Sequence, residues 1–358
     1  MNKLPLLKKL LIILSWCILS YVISISTVEN AIIQKGFFVL FVCAGLWMTE
    51  IVPLPATALL VPVLAYFTHI LEPKAALAPF SNSIVFLFMG GFTLAALLNK
   101  YRIDIWLAQK VTTAAKGQLW ISVIGFFAVT SFLSMWMSNT STTAMMLPIA
   151  IALVDKQYPR MRAYIVLGTA YAANIGGLAT PVGSPPNGIA VSALDIDFLT
   201  WFKVGFPSTI MMFPIVVIAL WFVIRPEKNA TVNHLGGKEG LIMAWDARAI
   251  GSVALFVFTV ICWIFSSQIG HMLGVKQFDR MIAIFITALA PILGLITWKD
   301  LEKKIEWGIL LLFGGGLCLS VILSETGTSK WIATQMIQTI SGSPDWVVIM
   351  ASITLMIG

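Results

Sequence analysis

MWMSNTSTTAMMLP, residues 135–148, is a run of small hydroxyl and amide side chains between two apolar segments. The chain around it is oily, with 59% hydrophobic residues, 11% charged residues and a mean hydropathy of +0.92. Because lipid offers no hydrogen-bonding partners, polar groups within a membrane persist only where protein or water surrounds them. The run therefore predicts a site for an ion or a small solute inside a membrane protein.

Nine apolar stretches are long enough to cross a hydrocarbon layer of about 30 Å as helices. They are residues 8–28, 37–53, 56–71, 84–99, 164–179, 203–224, 249–268, 281–298 and 307–323. The composition is typical of an all-α polytopic membrane protein and not of a soluble domain. The first stretch is longer than the core of a signal peptide and no clear cleavage site follows it, so we interpret it as a retained span.

The net charge of +7 follows from membrane topology. Lys3, Lys8 and Lys9 lie before or at the start of the first span and place the N-terminus in the cytoplasm by the positive-inside rule. When the spans are traced from there, most of the 23 basic residues fall on the cytoplasmic side. The basic excess therefore does not indicate nucleic-acid binding, and we expect the chain in the inner or plasma membrane of the cell.

Basic segments flank the polar run at residues 99–118 and 155–163, and both belong on the cytoplasmic side. The apolar chain between them must therefore cross an even number of times, or dip into the membrane and return. Only about a dozen residues separate Thr143 from Lys156, which is too few for a relaxed crossing. We therefore predict a re-entrant hairpin that enters from the cytoplasm and has residues 138–140 at its tip.

A second irregular stretch, GGLATPVGSPPN, spans residues 176–187 and holds three prolines and three glycines. Such a segment cannot continue an α-helix. The helix that begins near residue 164 must break there, which frees backbone N–H and C=O groups. A plain extracellular loop is the alternative, because 164–179 is barely long enough to cross. The apolar segment Gly188–Leu194 after the break favours a discontinuous helix.

A weak internal repeat relates the two ends of the chain. IVFLFMGGFTL at 84–94 resembles ILLLFGGGLCL at 309–319, with Gly90 paired to Gly315 by a shift of 225 residues, since 315 − 90 = 225. The predicted topology runs these two segments in opposite directions, and an inverted repeat is typical of secondary transporters. The same shift carries Ser138 to position 363, so we expect a C-terminally incomplete chain that lacks a second hairpin and a second broken helix.

The glycines within these repeats, Gly90-Gly91 and Gly314-Gly315-Gly316, have a structural interpretation. They lie in long apolar spans and lack the strand–turn–helix context of a nucleotide-binding loop, so we predict close helix packing there.

The polar stretches contain hydroxyls, amides and freed backbone groups, but no Lys or Arg. A multiply charged anion can still be held by helix N-termini and their unpaired N–H groups. Hydroxyl and carbonyl oxygens are hard ligands that suit Na⁺. The predicted site would therefore hold an anion beside cations that offset its charge.

Taken together, MWMSNTSTTAMMLPI at 135–149 and GGLATPVGSPPN at 176–187 closely resemble the divalent anion:sodium symporter family. Members of that family are sodium-coupled dicarboxylate, tricarboxylate and sulfate carriers. The resemblance implies a Na⁺ site formed by Ser134, Asn139 and Gly183. The substrate-binding residues that it implies are Ser138, Asn139, Thr140, Ser184 and Pro185.

The resemblance also implies a domain organisation and an elevator mechanism in a homodimer embedded in lipid. Residues 1–110 would form the scaffold domain of the first repeat, and residues 111–224 a transport domain with the hairpin and the broken helix. Residues 225–335 would hold a cytoplasmic linker and the scaffold domain of the second repeat. Residues 336–358 would begin the second hairpin.

The function predicted from these features is sodium-coupled transport of a small divalent anion, with a C4-dicarboxylate such as succinate as the first choice. A sodium-independent dicarboxylate exchanger, or a sulfate or citrate carrier on the same fold, is the alternative. An intramembrane enzyme is disfavoured because the polar stretches lack a His, Lys or Asp that would act as a base. A channel is disfavoured because an inverted repeat and a re-entrant hairpin fit alternating access better.

Overall fold

The computed structural model describes residues 5–231, 245–340 and 350 of the chain. All regular elements of these residues are helices, and no strand occurs among them, which confirms the predicted all-α class. In chain order the helices are α1 (Leu6–Thr27), α2 (Ala31–Thr49), α3 (Leu54–Phe67), α4 (Pro73–Leu77), α5 (Ser83–Lys100), α6 (Ile103–Ala114), α7 (Leu119–Ser134), α8 (Asn139–Ala152), α9 (Pro159–Gly177), α10 (Pro185–Ala193), α11 (Phe198–Ile224), α12 (Ala247–Ile264), α13 (Ser266–Leu273), α14 (Phe278–Ile292), α15 (Trp298–Lys304), α16 (Trp307–Glu325) and α17 (Thr328–Ile340).

Six helical segments of the described chain are long and apolar enough to cross a membrane. They are Leu6–Thr27, Ala31–Thr49, Pro73–Lys100, Phe198–Ile224, Ala247–Ile264 and Trp307–Glu325. Of these six segments, helix α11 has the smallest buried share. Large apolar side chains such as Met211, Ile215 and Val223 lie exposed on its surface. Such a surface is typical of a helix that faces lipid.

Three of the nine predicted spans are helices that fall short of this standard. Helices α3 and α14 have 14 and 15 residues, so they are about 21 and 23 Å long against a layer of about 30 Å. Helix α9 has 19 residues, but it begins with Arg160 and Arg162 and ends in a run of small residues, so its hydropathy is too low. The prediction that each of these three stretches crosses by itself is therefore not supported.

Several helix ends differ from the predicted spans for local reasons. The span predicted at 37–53 is helical from Ala31 to Thr49, because the Asn30 side chain accepts hydrogen bonds from the backbone of the first turn. It ends where Glu50 takes a left-handed conformation ahead of Pro53. The span predicted at 281–298 ends at Ile292, two residues before Gly294, which has a φ of 66°.

The chain divides into two compact units. One unit comprises Met1–Asn82 and Gly308–Gly358, and the other comprises Ser83–Trp307. The core of the first unit is formed by α2, α3, α4 and α16 through Val39, Cys43, Val61, Ala65, Ala76, Cys318, Leu319 and Ile322. In the second unit, which contains both polar stretches, α9 packs against α7, α8 and α11, while α14 packs against α5 and α12.

In each unit, a glycine of the repeated segment lies at a very close helix crossing. In the second unit, a Cβ on Gly90 of α5 would lie 2.6 Å from the Cβ of Ala283 in α14. In the first unit, a Cβ on Gly315 of α16 would lie 2.6 Å from the Cβ of Ala58 in α3. The close helix packing predicted for these glycines is confirmed.

A side-chain cap joins the end of α11 to the start of α9. The Glu227 carboxylate accepts hydrogen bonds from the backbone N–H groups of Arg160 (3.2 Å) and Met161 (2.6 Å) in the first turn of α9. Slight burial raises the pKa of Glu227, but the backbone donors and the Arg160 charge lower it by more. The pKa of Glu227 therefore lies below its usual value.

We expect Glu227→Ala to destabilise the protein by about 1 kcal/mol, because the first turn of α9 loses its cap. A carboxylate whose pKa is lowered by folding stabilises the folded state above its unfolded pKa, and that contribution is lost as the pH falls through the folded pKa. The difference in Tm between wild type and variant should therefore shrink as the pH falls from 7 to below about 4, near the ordinary pKa of Glu. The control is Asn229→Ala, an exposed residue two positions later, which should leave Tm unchanged. An equal Tm difference at both pH values would contradict the capping role.

Candidate functional site

Helices α7 and α8 form a helical hairpin around the polar run. Helix α7 ends at Ser134, and α8 begins at Asn139 with Ser138 as its N-cap, whose Oγ accepts from the Ser141 backbone N–H at 3.3 Å. With 16 and 14 residues, the two arms are about 24 and 21 Å long, each shorter than a hydrocarbon layer. The chain reversal at Ser138 agrees with the sequence expectation, and its depth in a membrane stays a prediction.

An aromatic cluster holds the turn of this hairpin. Trp136, only 4% exposed, stacks on Phe198 and Trp263 with ring centroids 6.3 and 6.2 Å apart, and meets Phe256 edge-on at 5.4 Å. Aromatic pairs at these separations add to the stability that burial alone gives. The turn is therefore packed on α11 and α12 and is not a free loop.

The predicted helix break lies between α9 and α10, beside the same turn. Asn187 of α10 donates through Nδ2 to the carbonyls of Gly177 (2.7 Å) and Thr180 (2.8 Å), which the break leaves without helical partners. The Thr180 hydroxyl donates to the Met135 carbonyl and accepts from the Gly183 N–H at 3.1 Å. The backbone from residue 179 to residue 183 is buried. This burial favours the discontinuous helix over the exposed loop that was its alternative.

One atom of the Asn139 amide, either Oδ1 or Nδ2, meets the Ser134 hydroxyl and the carbonyl oxygens of Ala173 and Gly183 where the break meets the hairpin, and we call this group the oxygen cluster. The Ser134 hydroxyl donates to Asn139 Oδ1 at 2.8 Å. The same Asn139 position lies 3.2 Å from the carbonyl oxygens of Ala173 and of Gly183. Asn139 is therefore within reach of Ser134 and Gly183, the two residues named with it from the family resemblance.

The orientation of the Asn139 amide decides what this cluster can hold. With Nδ2 turned inward, the amide would donate to Ser134 Oγ and to both carbonyls, and the cluster would be satisfied without a ligand. With Oδ1 inward, four oxygens face one another and share a single hydroxyl hydrogen, an arrangement that a small hard cation stabilises. No group of three or more His, Cys, Asp or Glu side chains in the described part of the chain could hold a metal ion. The neutral oxygens therefore fit Na⁺ better than a transition metal.

A cavity of about 450 Å³ adjoins the opposite side of the hairpin turn. Its lining combines α5, the start of α8 and the segment before α16: Phe92, Ala95, Ala96, Asn99, Met137, Ser138, Ser141, Ala144, Met145, Lys304 and Glu306. Ser138 and Asn139 are adjacent in the chain, yet Ser138 lines the cavity while Asn139 lies in the oxygen cluster.

The other residues implied as substrate ligands lie outside this lining. Thr140 is exposed on α8, and Ser184 and Pro185 are half-buried at the start of α10. The structure therefore brings Ser134, Asn139 and Gly183 together, and Thr140, Ser184 and Pro185 do not line the cavity that Ser138 lines.

A basic cavity of about 530 Å³ shares Ala96, Asn99 and Lys304 with the first. Lys304 Nζ donates to Asn99 Oδ1 at 2.6 Å, and Lys100 pairs with Asp300 at 3.2 Å. Its charged lining residues are Lys100, Arg102, Asp300, Lys303 and Lys304. Their formal charges sum to +3, since 4 − 1 = 3, so the cavity would attract an anion.

Glu306 is the acidic residue in the first cavity. Its Oε1 accepts from Ser138 Oγ at 2.6 Å and from Ser141 Oγ at 2.7 Å. Ser141, Asn99, Lys304 and Glu306 are absent from the sequence-based site. Ser141 lies within the polar run, so the sequence could have identified it. No feature of the sequence around Asn99, Lys304 or Glu306 marks them as site residues.

A hairpin with a buried polar turn, a buried helix break and an adjoining cavity, in a chain with six candidate spans, is the architecture of a membrane transporter. Residues 44–358 match the Citrate transporter family, and the chain belongs to that family. It is a transporter and not an enzyme, and this agrees with the resemblance found in its sequence.

Curated relatives agree with this assignment. An uncharacterized transporter of Methanocaldococcus jannaschii is 37% identical over 91% of this chain and 74% of its own length. An uncharacterized transporter of Haemophilus influenzae is 36% identical over 86% of this chain and 69% of its own length. The sodium-dependent dicarboxylate transporter SdcS of Staphylococcus aureus is 31% identical over 88% of this chain and 67% of its own length.

Proposed function

We propose that this protein carries a small divalent anion across the membrane together with Na⁺, and that a C4-dicarboxylate such as succinate is its substrate. The observation that carries this proposal is the oxygen cluster of Ser134, Asn139, Ala173 and Gly183, one residue away from the Ser138 hydroxyl in the cavity. Cation and anion would therefore bind on two sides of a single turn.

In the proposed anion site, Ser138 and Ser141 offer their hydroxyls at the N-terminus of α8. The partial positive charge of a helix N-terminus adds to the attraction for a carboxylate. We also propose Asn139, Thr140, Ser184 and Pro185 as substrate ligands, on the strength of the family resemblance alone.

Coupling would follow from the shared turn. Na⁺ bound with Asn139 Oδ1 inward fixes the first residue of α8, and thereby the positions of the Ser138 and Ser141 hydroxyls. An ordered pair of donors binds a carboxylate with a smaller entropy loss. By linkage, Na⁺ and the anion must raise one another's affinity by the same factor.

The names of the relatives suggest two substrates, a dicarboxylate and citrate. SdcS is a sodium-dependent dicarboxylate transporter by name, whereas the family that matches residues 44–358 is named for citrate. The cavity volume of about 450 Å³ falls in the usual range for small-molecule sites and accommodates either anion. A citrate or sulfate carrier, or a sodium-independent exchanger, is therefore the second candidate.

We further propose that the two ends of the chain are inverted repeats. The shift of 225 carries α3 to 279–292, α5 to 308–325 and α6 to 328–339, which closely match the bounds of α14, α16 and α17. It also relates the two close crossings, because 283 − 58 = 225 and 315 − 90 = 225. Inverted repeats of this kind support alternating access about a site between the halves.

The domain boundaries implied by the family remain part of this proposal. Residues 1–110 and 225–335 would form the scaffold, and 111–224 the moving transport domain of an elevator in a homodimer. We propose the inner or plasma membrane as its location, with a cytoplasmic N-terminus. Of the proposed second-hairpin segment 336–358, residues 341–349 and 351–358 lie outside the described residues.

Uptake by the purified protein in liposomes tests the proposal. Labelled succinate, citrate and sulfate would be compared under an inward Na⁺ gradient, under equal Na⁺ and in K⁺ alone. We expect succinate to accumulate only under the Na⁺ gradient. Uptake that ignores Na⁺ but requires internal dicarboxylate would favour the exchanger, and would contradict sodium coupling.

A further inference from the structure

We propose that Glu306 is an internal competitor for the substrate anion. It occupies the hydroxyls that a substrate carboxylate needs, and the substrate binds by replacing it. This inference rests on the proposed anion site at Ser138 and Ser141.

The geometry of Glu306 is that of a bound carboxylate ligand. Its Oε1 accepts two short hydrogen bonds, from Ser138 Oγ at 2.6 Å and from Ser141 Oγ at 2.7 Å, at the N-terminus of α8. Hydrogen bonds to ionised acceptors are shorter and stronger than those between neutral groups. The donors proposed for a substrate carboxylate thus already hold a carboxylate of this chain.

Glu306 and a substrate cannot use these donors together. Each serine hydroxyl has a single hydrogen to donate, and both hydrogens point at Glu306 Oε1. A second carboxylate at the same place would also face the repulsion of a like charge a few ångströms away. Binding of the anion therefore requires that Glu306 leave.

The position of Glu306 in the chain makes such a release feasible. It lies between Lys304, the last residue of α15, and Trp307, the first residue of α16, and its side chain is half-buried. The ion pairs found among the described residues do not include it. Lys304 lines both cavities and would offer a cationic neighbour to the released carboxylate.

The internal repeat argues against a purely architectural role for this carboxylate. The shift of 225 relates Glu306 to position 81, since 306 − 225 = 81, and position 81 is a serine. A carboxylate that served the common packing of the two repeats would be expected in both. The carboxylate is present in the second repeat only, and there it contacts the hairpin turn.

Competition of this kind has two consequences for transport. In the absence of substrate, Glu306 satisfies the Ser138 and Ser141 hydroxyls, which are costly to leave unpaired in a buried site. A tethered carboxylate also acts at a high effective concentration, on the order of millimolar. It therefore weakens the apparent affinity for the anion and speeds the release of the anion.

Calorimetric titration of the full-length protein with succinate in saturating Na⁺ tests this proposal. Glu306→Ala should lower the succinate Kd about tenfold, which corresponds to about 1.4 kcal/mol. Glu306→Gln keeps the shape and an acceptor oxygen but not the charge, so it should lower the Kd by a smaller factor. Glu302→Ala removes an exposed carboxylate four residues earlier and should leave the Kd unchanged.

The outcomes separate this proposal from the proposed function. If wild type binds succinate and neither Glu306 variant lowers the Kd, or if both weaken binding, the competitor role is wrong and the anion site stands. If Glu306→Ala fails to fold, the isosteric Glu306→Gln decides alone. Wild-type protein that binds none of succinate, citrate and sulfate would overturn the proposed function, and this inference with it.

Discussion

Asn139→Ala should abolish sodium-driven succinate uptake and reduce it to the level of empty liposomes. Asn139 supplies the side-chain atom that reaches Ser134 Oγ and the carbonyls of Ala173 and Gly183. Without it the proposed Na⁺ site loses its central oxygen, and the first turn of α8 loses its connection to the helix break. Because transport is proposed to require both ligands, loss of the cation should remove uptake and not only lower its rate.

Asn139→Asp is the matched variant for this prediction. It keeps an oxygen at the same position and adds a negative charge, so we expect Na⁺ to continue to raise Tm in this variant. In Asn139→Ala the Na⁺-dependent shift of Tm should disappear. Folded Asn139→Ala protein with wild-type, Na⁺-dependent uptake would show that the cation binds elsewhere.

Gly177→Ala should raise the Na⁺ concentration that transport requires while the protein stays folded. A Cβ at this position would lie 3.0 Å from Cγ of Asn139 and closer still to its Oδ1. The Asn139 side chain would have to turn away from the oxygen cluster, because real Cβ atoms do not approach so closely. We expect the Na⁺ concentration for half-maximal uptake to rise at least about tenfold, the equivalent of about 1.4 kcal/mol of cation binding.

The neighbouring glycine provides the control. A Cβ on Gly176 would lie 2.6 Å from the Ser131 Cα, which is backbone of α7 and cannot turn aside. Gly176→Ala should therefore lower the free energy of unfolding by about 3 kcal/mol, the upper part of the usual range for overpacking, with a large fall in Tm. Gly177→Ala should lower Tm only mildly. Tm and the sodium dependence of uptake are both measurable on the same preparation of each variant. Sodium dependence of Gly177→Ala equal to that of wild type would contradict the placement of Asn139.

Polarity and chain-breaking residues were sufficient to predict the elements that form the site. The run from Ser138 to Thr143 interrupts an apolar segment, and the hairpin reverses there. Pro181 lies in the break after α9, Pro185 and Pro186 begin α10, and residues 179–183 of the break are buried beside the hairpin turn. Both features depend on local backbone chemistry, which the sequence displays directly.

The directions of the side chains at the turn were not predictable in the same way. Ser138 and Asn139 were both assigned to the substrate, and Asn139 to the Na⁺ site as well. Ser138 lines the cavity, whereas Asn139 lies in the oxygen cluster. Adjacent residues at a helix start point in different directions, and which neighbour each one meets depends on tertiary packing.

Glu306 was beyond sequence reasoning for a related reason. It lies 168 positions from Ser138 along the chain, and the sequence around it reads as an ordinary charged segment between two helices. Its contact with Ser138 and Ser141 depends on tertiary packing, in which α15 lies against α5. Spans such as 56–71 and 281–298 were overestimated because hydropathy does not mark where a helix ends.

Reciprocal binding of Na⁺ and anion tests the central claim most directly. The succinate Kd of the purified protein would be titrated in Na⁺ and in equimolar K⁺, and the Na⁺ affinity would be titrated with and without succinate. We expect Na⁺ to lower the succinate Kd by at least about fivefold, the lower end of typical coupling, and succinate to raise the Na⁺ affinity by the same factor. A succinate Kd that is identical in Na⁺ and K⁺ would contradict a cation site and an anion site joined by one turn.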